Sequence, residues 1–268
     1  MDDQSLQTFV SRLFEWYGRN RRQLPWRTRI TPYRVWVSEV MLQQTVVGTV
    51  RDRFERWFER FPDIKALAAA DQQEVLSEWE GMGYYRRATR LREAAHQVVA
   101  EHGAKLPRER EDLLELPGIG PYIASAIRSL AFGEDEVALD TNLCRIFMRL
   151  GGIEGRATDP EIRRRVKQLA ERALPAGDSS AFNQALMDFG SLVCRARHPR
   201  CAQCFATADC AAYQGGLQEE IPARRNRNIE QIQTAVVIFV RRKQAYIQRR
   251  PAGGLFGGMW EFPGGKLE

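Results

Sequence analysis

The stretch that most constrains this 268-residue chain runs from Leu113 to Arg145, LLELPGIGPYIASAIRSLAFGEDEVALDTNLCR. Leu113, Leu114 and Leu116 close a short apolar-faced helix, Pro117-Gly118-Ile119-Gly120 forces a tight turn, and Ile123, Ala124, Ile127 and Leu130 return at helical spacing. Pro117 removes one amide, while Gly118 and Gly120 let the backbone turn and come close to a partner. The N–H groups opening the next helix are then free to meet a phosphate. An ordinary glycine-rich connection between two helices would use the same residues. Asp140, twenty residues past Gly120, reads by itself as the N-cap of a helix through Ile146, Phe147 and Leu150.

The chain ahead of this stretch reads as helical. Residues 4–19 place Leu6, Phe9, Val10, Leu13, Phe14 and Tyr17 on one face. The loop RRQLPWRTRITP follows, with Pro32 at the first turn of YRVWVSEVMLQQT. In that helix Val35, Trp36, Val37, Val40, Met41 and Leu42 cover most of the circumference, so Glu39 is buried with them. Desolvation pushes such a carboxyl upward, as a general acid near neutral pH requires, and an ion pair with a buried arginine is the alternative. Gln43 lies one turn beyond Glu39, with Gln44 beside it. Helices are expected at 46–60, 63–70 and 71–80, with Trp57, Phe58, Leu67, Leu76 and Trp79 in the core. Gly81-Met82-Gly83-Tyr84-Tyr85 then breaks the run before a basic helix with Arg86, Arg87 and Arg90. Its tyrosines suit stacking on bases, with the arginines on phosphates, or equally a packed aromatic pair. Further helices are expected at 160–174 and 179–193.

Four of the five cysteines, Cys194, Cys201, Cys204 and Cys210, follow C-x6-C-x2-C-x5-C. An odd, crowded set fits metal ligation better than a disulfide framework, and four thiolates suit either zinc or an iron–sulfur cluster. Arg195, Arg197 and Arg200 lie between the first two. A net charge of +6 favours a polyanionic partner only in company with such motifs. No apolar run reaches membrane-spanning length and the N-terminus lacks a signal-peptide pattern, so a soluble, intracellular protein is expected.

Together the LPGIG hairpin with Asp140, SEVMLQQT, GMGYYRRATRL and the cysteine spacing resemble the helix-hairpin-helix DNA glycosylases of the endonuclease III superfamily. Within it they resemble the MutY-type adenine glycosylases, which act on adenine opposite 8-oxoguanine. The resemblance implies an all-α, two-lobed core over residues 1–214, a [4Fe-4S] cluster on Cys194, Cys201, Cys204 and Cys210, and action as a monomer on double-stranded DNA with A:8-oxoguanine or A:G mismatches in a bacterial cytoplasm, at the nucleoid. Glu39 would protonate the departing adenine and Asp140 would stabilise the sugar cation, with Tyr122 and Asn142 orienting Asp140. Arg27 and Gln184 would contact the base. Gln43 and Gln44 would lie at the duplex wedge, and Tyr84 would intercalate beside 8-oxoguanine. Leu116, Gly118 and Gly120 would grip the duplex, and Arg195, Arg197 and Arg200 would meet phosphates. Bifunctional relatives carry a lysine at the position of Tyr122; a phenol forms no imine, which implies a monofunctional enzyme. Thr141 stands where many relatives have glycine, and Cys144, expected to be an inert buried thiol, where some have lysine.

Residues 215–230 read as a linker by composition. Residues 231–268 read as a two-stranded hairpin, TAVVIFV and AYIQRR about RRKQ, followed by GLFGGMWEFPGGKLE. This tail resembles the opening of the Nudix-like domain with which MutY-type enzymes recognise 8-oxoguanine, truncated before the glutamates that Nudix hydrolysis needs. The rival readings are a thymine mismatch glycosylase of the same fold, a non-catalytic iron–sulfur DNA-binding protein and a Nudix hydrolase.

Overall fold

The computed structural model describes residues 1–223, 231–251 and 257–267. Helix α1 (Asp3–Asn20) starts at Asp2, whose carboxylate accepts from the Ser5 N–H at 2.9 Å, and buries Leu6, Phe9, Val10 and Leu13. After a 3-10 turn (Pro25–Arg27), α2 (Pro32–Leu42) begins with Pro32 in its first turn, as expected, and Thr31 caps it. Helices α3 (Val47–Arg60), α4 (Ile64–Ala69), α5 (Gln72–Glu78), α6 (Arg86–Glu101), α7 (Arg110–Glu115) and α8 (Pro121–Ala131) follow. With α2 they enclose one core around Trp36, Phe54, Trp57, Phe61 and Trp79. Helices α9 (Thr141–Gly151), α10 (Pro160–Ala173), α11 (Ser179–Leu192) and α12 (Ala211–Gln214) close a second core with α1, around Phe147, Phe182 and Phe189. Each core side chain of this size contributes roughly 1.5–3 kcal/mol by burial. The body is therefore two helical lobes, and the chain crosses between them twice, after α1 and after α8.

Helix α2 ends at Leu42, sooner than its sequence suggests. Arg87 causes this: its Nη1 donates to the carbonyls of Val40 (2.7 Å), Met41 (3.0 Å) and Gln43 (2.5 Å). Its Nη2 donates to Thr45 Oγ1 and to the carbonyls of Met82 and Gly83. One guanidinium thus satisfies the carbonyls that a helix end leaves open and ties α2 to the turn before α6. Gln43 is extended beyond the helix and Gln44 takes a left-handed φ of 58°. The short α12 and the 3-10 turn Cys201–Gln203 have too few residues to show a period in sequence.

The tail departs from a simple two-stranded hairpin. Among the described residues six short strands form three antiparallel pairs: β1 (Thr234–Val236) with β6 (Gly264–Lys266), β2 (Val240–Arg241) with β3 (Gln244–Ala245), and β4 (Gln248–Arg249) with β5 (Trp260–Glu261). The expected turn does form, with Arg242 and Lys243 at φ of 51° and 64°. Gly264 brings the far segment against β1, for a Cβ there would lie 2.4 Å from the Ala235 carbonyl oxygen. Val236, Phe239, Val240 and Trp260 stay exposed, because pairs of short strands lack an opposing layer.

Part of the expected linker packs on the second lobe. Ile221 is buried, its carbonyl accepts from Arg149 Nε at 2.8 Å, and the Ala223 N–H donates to the Gly155 carbonyl at 2.8 Å. Residues 224–230 of the linker, Gly254, Leu255 and Phe256 of the GLFGG segment, and Glu268 lie outside the described residues. Among the described residues no helix is long and apolar enough to cross a membrane.

Candidate active site

A cleft of about 2200 Å³ separates the lobes. Arg27, Glu39, Gln43, Gln44, Tyr84 and Tyr122 line it from the first lobe, and Asp140, Asn142 and Gln184 from the second. Nine of the candidate residues are thereby brought together.

Glu39 is 5% exposed, held on α2 among the apolar neighbours that its sequence position implies. Burial pushes its carboxyl up to about 7; the charge of Asp140 adds to this, while a hydrogen bond from Tyr122 and the charge of Arg27 oppose it. The Tyr122 hydroxyl donates to Glu39 Oε2. This corrects the expectation that Tyr122 orients Asp140: α8 packs against α2, so the phenol reaches the glutamate. Among the described residues the alternative arginine pair for Glu39 does not form either. Arg27 donates from Nη1 and Nη2 to Asp188, at 2.7 and 3.0 Å.

Asp140 caps α9, with Oδ1 accepting from the Leu143 N–H at 2.7 Å and Oδ2 from Asn142 Nδ2 at 2.8 Å. Asn142 thus reaches Asp140 with Thr141 between them. Arg145 Nη2 donates to Asn142 Oδ1 at 2.9 Å, which leaves only the amide NH2 to face Asp140. Arg145 also donates to the carbonyls of Gly190 and Cys194, both at 2.8 Å. Burial raises the Asp140 carboxyl, against hydrogen bonds from Leu143 and Asn142 and the charge of Arg145. Two buried carboxyls thus share one cleft in contrasting surroundings: Asp140 among several donors, Glu39 with a single phenol.

Other residues here gave no signal in sequence. A Cβ on Gly190 would lie 2.7 Å from the Asn142 Cβ, so glycine is what lets α11 abut α9. Asp188 was masked by an unremarkable helix. Val46, the residue before α3, is 72% exposed on the cleft rim, and Arg249 and Arg250 of the tail also border the cleft. Tyr84 is 58% exposed at a left-handed φ of 46°, and the Arg87 guanidinium stands 5.6 Å from its ring centroid. Gln184 Nε2 donates to the Ser180 carbonyl and hydroxyl.

The hairpin and the cysteine loop lie outside the cleft lining. Leu116 is a core residue at 2% exposure, so its side chain packs the lobe and is not presented to a partner. Gly118, at φ 84°, packs against Arg90, leaving a Cβ 3.1 Å from the Arg90 Cβ; Gly120 has an ordinary φ and open space around it. Arg197 and Arg200 are exposed, while Arg195 Nη2 donates to the His198 carbonyl. All five cysteines are free. Burial and the neighbouring thiols raise Cys201, Cys204 (to about 12) and Cys210. Cys194 Sγ accepts from Arg149 Nη1, and Cys204 Sγ from the Ala206 N–H, both at 3.4 Å. Among the described residues no three His, Cys, Asp or Glu side chains are grouped around a single-ion site. Cys144 is buried with its thiol raised to about 11, as an inert core thiol should be.

Two helical lobes, a glycine hairpin between helices and a pair of buried carboxyls in the intervening cleft define a helix-hairpin-helix protein. Residues 37–172 match the HhH-GPD superfamily of base excision DNA repair proteins, and the chain belongs to that family. The adenine DNA glycosylase of Mus musculus is 34% identical over 97% of this chain and 61% of its own length. That of Mycolicibacterium smegmatis is 39% identical over 80% of this chain and 72% of its own. The chain thus spans less than two thirds of the mouse relative. The solved structure of a thermostable thymine-DNA glycosylase is similar at a TM-score of 0.72 and 28% identity, over 79% of this chain and 98% of that one.

Proposed function

We propose that the chain is a monofunctional adenine DNA glycosylase that extrudes adenine paired with 8-oxoguanine or guanine, hydrolyses its N-glycosidic bond and leaves an abasic site. The observation that carries this reading is the pairing of Glu39, raised to about 7, with a multiply hydrogen-bonded Asp140 in one cleft. Protonated Glu39 donates to N7 of the flipped adenine, whose ring atoms are out of reach in the stacked duplex. The C1′–N9 bond breaks with its electron pair moving to the base, and the sugar acquires oxocarbenium character. Ionised Asp140 stabilises that cation. Water then adds at C1′ and gives up its proton to the Glu39 carboxylate, in the paired-carboxylate manner of glycoside hydrolysis.

Several features support the reading. Tyr122 offers no amine for a Schiff base. Gly120 is a glycine that no neighbouring protein atom demands, consistent with close approach of a DNA backbone. Tyr84, Gln44 and Val46 form an exposed rim suited to an opened base step. The likeness to a thymine-DNA glycosylase gives a second reading. Glu39 weighs against it, since adenine presents a basic ring nitrogen where thymine has none.

A [4Fe-4S] cluster fits the donor chemistry of the cysteine loop: four free thiols within one short segment, two of which accept N–H donors. Cys194, Cys201, Cys204 and Cys210 would hold it, and when bound it would cross-link the loop that presents Arg197 and Arg200. Residues 231–268 are the opening of a Nudix-like domain in this reading. The test is incubation with duplexes carrying A:8-oxoguanine, A:G, T:G or A:T, with and without alkali. Strand breaks at adenine only after alkali are expected; breaks without alkali contradict the monofunctional assignment, and breaks at thymine favour the second reading.

A further inference from the structure

Asp188 is a buried charge that the reaction above leaves unused. It lies on α11 with its side chain wholly removed from solvent. It accepts from the Arg22 N–H (2.9 Å) and Nε (2.6 Å) and from Arg27 Nη1 (2.7 Å) and Nη2 (3.0 Å). Arg22 and Arg27 belong to the segment by which the chain leaves α1 for α2, so a carboxylate of the second lobe fastens the entry of the first. A desolvated carboxylate between cations adds little net stability over apolar packing of the same volume, so stability alone does not explain the arrangement.

Arg27 lines the cleft and its charge bears on Glu39. We propose that Asp188 is a positioning residue for the acid: by engaging both terminal nitrogens of Arg27 it anchors that guanidinium in the cleft wall and offsets its charge. Glu39 then faces a compensated pair in place of a bare cation. Among the described residues the other groups facing Glu39 are Tyr122 from α8 and Asp140 at the start of α9. From α6, Arg87 meets the backbone carbonyls of α2, and α3 brings the apolar Val50, Phe54 and Trp57 to the shared core. Arg27 is therefore the cation whose compensation matters to the acid. With Asp188 ionised, the two arginines and the aspartate carry one net positive charge; asparagine, of nearly the same volume, raises it to two.

The proposal rests on Glu39 being the acid of the proposed reaction, but its test does not need substrate. The Glu39 carboxyl is titrated by NMR in protein carrying 13C-labelled glutamate, its signal assigned by its loss in Glu39→Gln. Asp188→Asn is expected to lower the midpoint by about one unit, and Asp188→Asn/Arg27→Gln to restore it. An unmoved midpoint in folded Asp188→Asn overturns the proposal, and so does a fall that persists in the double variant. Should Asp188→Asn not fold, Arg27→Gln alone decides: a raised midpoint supports the proposal and an unchanged one overturns it. Base release by the wild-type protein is assayed alongside. Its absence would defeat the glycosylase reading while leaving the titration interpretable.

Discussion

Glu39 carries two consequences of its burial. In the proposed reaction Glu39 acts only when protonated, so single-turnover base release is expected to fall as pH rises through about 7, and a rate that rises through that range would exclude this role. Its folded-state pKa also lies above the unfolded value of 4.5, so between the two the folded chain binds more protons. The stability attached to Glu39 is thus complete below pH 4.5 and lost as pH rises through 7. Glu39→Gln does not titrate, and urea unfolding should show it gaining on the wild type by roughly 3 kcal/mol between these limits. The burial of Glu39 was legible because apolar residues surround it on every side of one helix. Its partner was not, because the Tyr122 hydrogen bond depends on which helix α8 packs against.

At the scale of the element, Arg87 and Gly190 do work that no local pattern announces. Arg87 closes α2 and fastens the Tyr84 turn, so Arg87→Met is expected to cost about 3 kcal/mol in urea unfolding, as removal of a half-buried, multiply bonded charge does. A loss below about 1 kcal/mol would show the carbonyls finding other donors. Gly190→Ala forces α11 off Asn142, and the account of Asp140 expects a roughly tenfold slower single-turnover rate with duplex affinity retained. An unchanged rate would detach Asn142 from the chemistry. The helices themselves follow from apolar spacing and from caps such as Asp2, Asp71 and Asp140. The end of α2 and the β1–β6 pairing escaped, because both are set by residues distant in sequence.

Over the whole molecule, two cores and a twice-crossing chain place Glu39 in one lobe and Asp140 in the other, so their juxtaposition is a property of how the lobes meet. Arg145 extends that arrangement outward, bonding Asn142 on one side and the Cys194 carbonyl on the other. If the cysteine loop holds a cluster, the isolated protein should contain about four irons per chain, and Cys204→Ser should lose iron together with duplex affinity. Iron absent from freshly isolated wild-type protein would refute the assignment. The lobed plan was legible only through the combination of hairpin, Asp140 and cysteine spacing. The cleft between the lobes has no signature in any one segment.

The measurement closest to the central claim is identification of the base released in a single turnover from an A:8-oxoguanine duplex by the wild type and Glu39→Gln. Free adenine from the wild type, with at least about a hundredfold loss in the variant, is the expected result. No released base, or equal rates from the two proteins, would contradict it.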